Sequence, residues 1–123
     1  MQRGSQAAVI RVVAFDIPDY KELDIPDGIM ELAELKHGMV IISGTAGSGK
    51  STTQACIIDR INHTREGHII TLEDPIEYLH RHDKSIVSQR EINIDTLSYV
   101  NALRASLRQS PDVILLGEMR DYE

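Results

Sequence analysis

The stretch "GTAGSGKS", residues 44 to 51, fits the pattern G-x-x-x-x-G-K-[ST], and each fixed type in it has a task in holding a polyphosphate. Gly44, Gly47 and Gly49 let the backbone turn tightly enough to point its N–H groups at phosphate oxygens. Lys50 carries a charge that reaches the β and γ oxygens, and the Ser51 hydroxyl is a ligand for Mg²⁺. The plain alternative is a loose glycine turn with a solvated lysine. Context argues against it, because the apolar run "MVIIS" precedes the motif and "KSTTQACIIDRIN" follows it. A strand that feeds a glycine loop into a helix aims the positive helix end at the anion.

Holding phosphate is not hydrolysing it, which also takes an acid on the metal and a group that activates or positions water. Three runs that read as strands end in "SGTAGSGK", "EDPIEY" and "GEMRD". In an open parallel sheet ligands sit beyond the carboxyl ends of the strands. This order therefore brings Lys50, the acidic group Glu73, Asp74 and Glu77, and Glu118 to one rim. Glu118 is assigned to the metal, acting through water, although Gly117 stands where an acidic residue is more usual. Asp112 falls at the opposite end of its strand and is excluded. Glu77 is the candidate for activating water, with burial among other acids expected to raise its pKa. By itself "EDPIEY" reads as a turn of solvated acids. Its place after a buried strand, downstream of a phosphate loop, reverses that preference.

Other polar residues are less specific. Arg104 and Arg108 stand four apart on an expected helix, where arginine stems lying along the core compete evenly with a phosphate contact. Arg11, inside an expected strand, has a strong structural explanation too, yet an arginine from a neighbouring domain or subunit commonly supplements phosphoryl transfer. His80 and His82 have no third ligand at a convincing spacing and read as a solvated loop. Cys56 reads as core.

The apolar pattern sets out the elements that must position these groups. "AAVIRVVAF" (7 to 15) reads as a strand, followed by the turn-prone "DIPDY". "DIPDGIMELAEL" reads as a helix with Pro26 near its start, Ile29, Met30, Ala33 and Leu35 on one side, and Gly38 at its end. "HIITL" and "DVILL" are buried-type strands, and "SIVSQREI" is a lesser one. "DTLSYVNALRASLRQ" is a helix with Asp95 or Thr96 as N-cap and Leu97, Val100, Leu103 and Leu107 on one stripe. Such alternation predicts an α/β fold with a largely parallel sheet, and a boundary falls near residue 37.

Composition bounds the function classes. The 123 residues suffice for one core, and 41% hydrophobic with 26% charged residues is a globular rather than a disordered balance. A net charge of −6 with no basic stripe excludes an extended nucleic-acid surface as the main function. The lone Cys56 forms neither an internal disulfide nor a cysteine zinc cluster, which fits a reducing compartment, the cytoplasm. No apolar run approaches the roughly 20 residues of a membrane span, and "MQRGSQAAV" lacks the apolar region of a signal peptide. Membrane association is therefore expected only through partners, without direct insertion.

Taken together, "GTAGSGKSTT", "ITLEDPIEYLH" and "VSQREINIDTLSYVNALRASLRQSPDVILLGEMRD" resemble the secretion ATPases of type IV pili and type II secretion. They look most like the pilus retraction (twitching motility) branch, over residues 3 to 122. The resemblance implies the terminal strand of a PAS-like N-terminal domain at 1–15, a linker with a short helix at 16–37, and the first part of a RecA-like P-loop ATPase domain at 38–123. It implies that the glycine stretch is the Walker A loop, with Gly44, Thr45, Ala46, Gly47, Ser48, Gly49, Lys50, Ser51 and Thr52 holding ATP. Glu77, in the family's Asp box, would be the catalytic glutamate, and Glu118, in the Walker B strand, the residue linked to Mg²⁺. Arg11, Arg104 and Arg108 match arginines that approach the nucleotide. Thr45 and Ala46, where relatives often carry Pro and Thr, leave the glycines intact.

By the same resemblance the chemistry is Mg-dependent ATP hydrolysis in a hexameric ring. That ring would drive pilus retraction at the inner face of the cytoplasmic membrane, beside an inner-membrane platform protein. "GEMRD" and "SQREI" favour this branch over the pilus extension and type II secretion ATPases, which are the alternative and more often read "GEIRD". The family's remaining N-terminal domain, its His box and further strands are expected outside these 123 residues. A second alternative, of another class, follows: a nucleotide-binding fragment without turnover, with exposed apolar surface and a tendency to associate.

Overall fold

The computed structural model describes residue 4 and residues 6–119. Its helices are α1 (Asp27–Met30), continued by a 3-10 turn at Glu31–Glu34, α2 (Lys50–Thr64) and α3 (Tyr99–Ser106). Its strands are β1 (Gly67–Glu73), β2 (Ser85–Glu91) and β3 (Val113–Leu116), all parallel, in the order β2-β1-β3. The register sets Ile69 opposite Val87 and Val113, and Leu72 opposite Arg90 and Leu116.

Side chains alternate across β1, and the two sides have different cover. Ile69 packs with Ala33, Ile58, Ile61 and Val87 under α2 and the 3-10 turn, whereas Ile70 and Leu72 pack with Ile92 and Ala102 under α3. The chain is thus α/β, with helices on both faces of a parallel sheet. That is why "HIITL" carries apolar residues toward both faces of the sheet, Ile69 toward one and Ile70 and Leu72 toward the other. Ile70 and Leu72 retain no exposed surface, and burial of each contributes about 1.5–3 kcal/mol.

The connection from β1 to β2, residues 74–84, contains no helix, so its backbone needs partners from elsewhere. Asn62, buried on α2, supplies three. Its Nδ2 donates to the Arg81 carbonyl at 2.6 Å, its Oδ1 accepts the Asp83 N–H at 3.2 Å, and its own carbonyl accepts the Lys84 N–H at 3.0 Å.

Two expected strands are extended chain without a ladder. "AAVIRVVAF" leaves Val9 and Val12 fully or nearly fully exposed. It touches the fold only near its end, where the Leu79 N–H donates to the Ala14 carbonyl at 2.9 Å. "MVIIS" likewise pairs with no strand among the described residues. A branched aliphatic run favours extended backbone, but a strand exists only where a neighbour presents matching N–H and C=O groups. Residues 1–3 and 5 of the segment 1–15, and residues 120–123 of the segment 38–123, lie outside the described residues.

Two helices differ from expectation at their ends. α1 starts after Pro26 with Asp27 in its first turn, but it passes into the 3-10 turn and stops at Leu35, before Gly38. α3 is capped by Ser98, whose Oγ accepts the Asn101 N–H at 3.2 Å. Asp95 is turned instead toward the end of β2, where its carboxylate accepts the Glu91 N–H at 2.8 Å. Leu97 and Leu107 then fall outside α3 and are exposed. The inward stripe is Tyr99, Ala102 and Leu103.

Candidate nucleotide site

Residues 45–49 form an exposed loop closed by a Ser48 N–H to Thr45 carbonyl bond of 3.3 Å. Gly49 enters α2 at φ 87° and ψ 11°, a left-handed conformation that a β-carbon would strain. The Thr53 N–H then donates to the Gly49 carbonyl at 2.9 Å, starting the helix. No side chain caps α2, so its leading N–H groups remain available to an anion, as a phosphate site requires. Lys50 Nζ donates to the Thr45 carbonyl at 2.6 Å, which keeps the ammonium on the loop rather than out in solvent.

The start of α2 is tied to the chain that leaves β1. Thr52 Oγ1 and the Tyr78 hydroxyl are 3.1 Å apart. Ser51 and Gln54 share a polar cavity of about 10 Å³ with Thr71, Glu73, Tyr78 and His80, room for about one water molecule. β3 closes on β1 at the same end, where the Gly117 N–H donates to the Leu72 carbonyl at 2.8 Å. A β-carbon at residue 117 would lie 3.2 Å from that carbonyl oxygen and 3.3 Å from Glu73 Cα. Glycine at this place, where an acid is more usual, lets the two strand ends run together and sets Glu118 one residue beyond the contact with Glu73.

The acids of this rim are not equivalent. Glu77 is exposed, and the burial expected of it belongs to Glu73. Burial pushes the Glu73 carboxyl above the usual carboxylate range. Hydrogen bonds from the Thr71 hydroxyl at 2.7 Å and the Gln89 amide at 3.2 Å oppose that push, and the charges of Glu77 and Glu91 add to it. The solvated loop expected around the histidines is also corrected in part. Burial holds His80 below the usual imidazole range, and the His82 Nδ1 accepts the Val87 N–H at 3.0 Å.

Among the described residues no three His, Cys, Asp or Glu side chains form a metal-holding group. A hydroxyl at Ser51 and a carboxylate at Glu118 are nevertheless hard oxygen donors of the kind Mg²⁺ accepts while keeping several waters. Asp112 sits at the far end of the sheet, accepting the His68 N–H at 2.7 Å, in line with its exclusion.

The arginines are not drawn in. Arg11 is exposed on the extended N-terminal segment, Arg104 is exposed in the last turn of α3, and Arg108 lies beyond that helix. α3 covers the face of the sheet opposite α2. None of the three forms an ion pair among the described residues. Sequence reasoning also passed over residues that shape the site, namely Tyr78, Gln89, Glu91 and Asn62. For Gln89 and Glu91 the available signal was polar residues in "SIVSQREI" at alternate positions of a strand whose neighbours are apolar.

Comparison with known proteins agrees with this fold. The family described as "Type II/IV secretion system protein" matches residues 5–123. The twitching motility protein of Neisseria gonorrhoeae is 50% identical over 117 residues, which are 95% of this chain and 31% of the relative. The type IV pilus retraction ATPase PilT of Pseudomonas aeruginosa is 43% identical over 122 residues, 99% of this chain and 36% of the relative. A crystal structure of the pilus retraction motor PilT with bound ADP superposes with a TM-score of 0.88 at 54% identity, over 91% of this chain and 33% of that one. The chain thus spans about a third of the length of these relatives.

Proposed function

The chain belongs to the type II/IV secretion system protein family, and from that premise we propose that it binds and hydrolyses ATP with Mg²⁺ as part of a hexameric motor for type IV pilus retraction. The observation that carries this reading is the meeting of the first turn of α2, which follows the phosphate loop, with the acidic end of β1 and the loop after it, at the end of the sheet where β3 also ends. The ADP bound to the PilT motor, 54% identical to this chain, supports it.

The roles follow from chemistry. N–H groups from Gly44 through Thr52 cradle the phosphates, and Lys50 neutralises charge on the β and γ oxygens. Ser51 and Glu118 hold Mg²⁺, which spreads the charge that develops on the transferred phosphoryl group. Glu77, exposed on the loop after β1, orients the attacking water and accepts its proton. Arg11, Arg104 and Arg108 are exposed and serve a nucleotide held by a neighbouring copy. The motor works in the cytoplasm against an inner-membrane platform protein. No helix of the described residues is long and apolar enough to cross a membrane.

A second reading, binding without turnover, is favoured by the arginines, since Arg104 lies on α3, across the sheet from α2. One comparison separates the two. In calorimetry with Mg·ATP and a phosphate-release assay, Lys50→Ala is expected to lose binding, and Glu77→Gln to keep binding while losing turnover. Binding without turnover in the parent chain would favour the second reading, and absence of binding would contradict both.

A further inference from the structure

The loop that carries Glu77 is held at both ends by side chains of β2, Gln89 and Glu91. From β2, where it stands opposite Thr71, Gln89 reaches past the end of β1. Its Oε1 accepts the His80 N–H at 2.8 Å, and its Nε2 donates to the Tyr78 carbonyl at 2.8 Å and to the Glu73 carboxylate at 3.2 Å. These partners bracket the loop, with Glu73 where it begins and Tyr78 and His80 where it leaves. Two residues along, on the same face of β2, Glu91 accepts the Ile76 N–H at 3.0 Å. The orientation of the amide is fixed by its partners. Turned over, it would set an NH₂ against the His80 N–H and an oxygen against both the Tyr78 carbonyl and the Glu73 carboxylate.

Tyr78 extends this grip to the phosphate loop. Its carbonyl is held by Gln89, and its hydroxyl lies 3.1 Å from Thr52 Oγ1 in the first turn of α2. A chain of hydrogen bonds therefore runs from the sheet, through the residue next to Glu77, to the helix that begins at Lys50. We propose that Gln89 is a positioning residue: by closing the neck of the 74–80 loop and seating Tyr78 on Thr52, it sets where Glu77 stands relative to the bound phosphates. The proposal rests on the hydrolysis reading above.

The test compares the parent chain with Gln89→Met, which keeps the volume and removes all three bonds, and with Gln89→Glu, which keeps only the acceptor for His80. Amide exchange at Ile76 and Leu79 is the first readout, because the acceptors of those two N–H groups are not Gln89. Both variants are expected to exchange there about tenfold faster or more, with the β1 and α2 amides unchanged. The second readout is turnover of Mg·ATP, where kcat is expected to fall about 10- to 100-fold through misplacement of Glu77, while KM stays within about threefold. Tyr78→Phe breaks the link to Thr52. If the link is one path, combining it with Gln89→Met lowers kcat no further than the more damaging single change.

Unchanged exchange at Ile76 and Leu79 overturns the proposal, as does full kcat in a chain whose loop has loosened, or a uniform loss of protection throughout the fold. A parent chain without turnover counts against the hydrolysis reading instead. The exchange measurement alone then decides whether Gln89 holds the loop.

Discussion

Alanine at residue 117 is expected to destabilise the chain by about 1–3 kcal/mol, because neither atom in its way can rotate aside. The Leu72 carbonyl and Glu73 Cα both belong to the backbone of β1. Urea unfolding of Gly117→Ala measures this, and a midpoint equal to the parent's would mean that the two strand ends separate freely. Glu73 carries a prediction in pH. Its folded pKa is raised, chiefly by burial, so as pH rises through the carboxylate range the folded state binds more protons than the unfolded one and stability falls. Glu73→Gln keeps an oxygen to accept from Thr71 and Gln89 and cannot ionise. It is expected to match the parent below the ordinary carboxylate pKa of about 4 and to exceed it increasingly as pH rises. Equal denaturation midpoints across that range would rule out the burial account. The types at residues 44 to 51 were legible in the sequence because a phosphate prescribes them. That burial falls on Glu73 and leaves Glu77 exposed was not, because burial depends on what lies across the sheet.

α3 shows how far local pattern determines an element and where it stops. The helix itself follows from the apolar spacing, but of the expected stripe Leu97, Val100, Leu103 and Leu107 only Leu103 packs with Ile70 and Leu72, beside Tyr99 and Ala102. Its beginning does not follow, since Asp95, Thr96 and Ser98 are all good caps, and it is the fold that turns Asp95 to the Glu91 N–H and the Thr96 hydroxyl to the Ser98 carbonyl, leaving Ser98 to accept the Asn101 N–H. Ser98→Ala is expected to cost about 1 kcal/mol and to lower helical signal in circular dichroism, whereas Asp95→Ala should loosen the turn after β2 and leave α3 intact. A larger helical loss in the Asp95 variant would reverse that assignment. β1 and β2 were legible for a related reason: each run meets a partner within the described residues. "AAVIRVVAF" and "MVIIS" are as apolar without a partner strand, and apart from the Ala14 carbonyl's bond to the Leu79 N–H they form no ladder.

Those unpaired runs leave the molecule with more apolar surface than a fold of its core would need to show. Val9, Ile10 and Val12 lie exposed on the N-terminal segment, and Met39, Val40 and Ile41 lie exposed beside α2. Met39 to Ile42 face Val113 to Leu116 across a largely apolar cleft of about 510 Å³. Among the described residues β3 pairs only with β1, so its other edge presents free N–H and C=O groups in that direction. Contiguous apolar surface and an open strand edge are each routes to association. The chain is therefore expected to brighten a hydrophobic dye and to sediment with a mass that grows with concentration. Charging the exposed runs with Ile41→Lys and Val12→Lys should reduce both signals without changing the unfolding free energy by more than about 0.5 kcal/mol, because neither residue belongs to the buried clusters. A parent chain that leaves the dye dark and sediments as a single monomeric species would show that these surfaces are covered in solution by an arrangement of the segments other than this one.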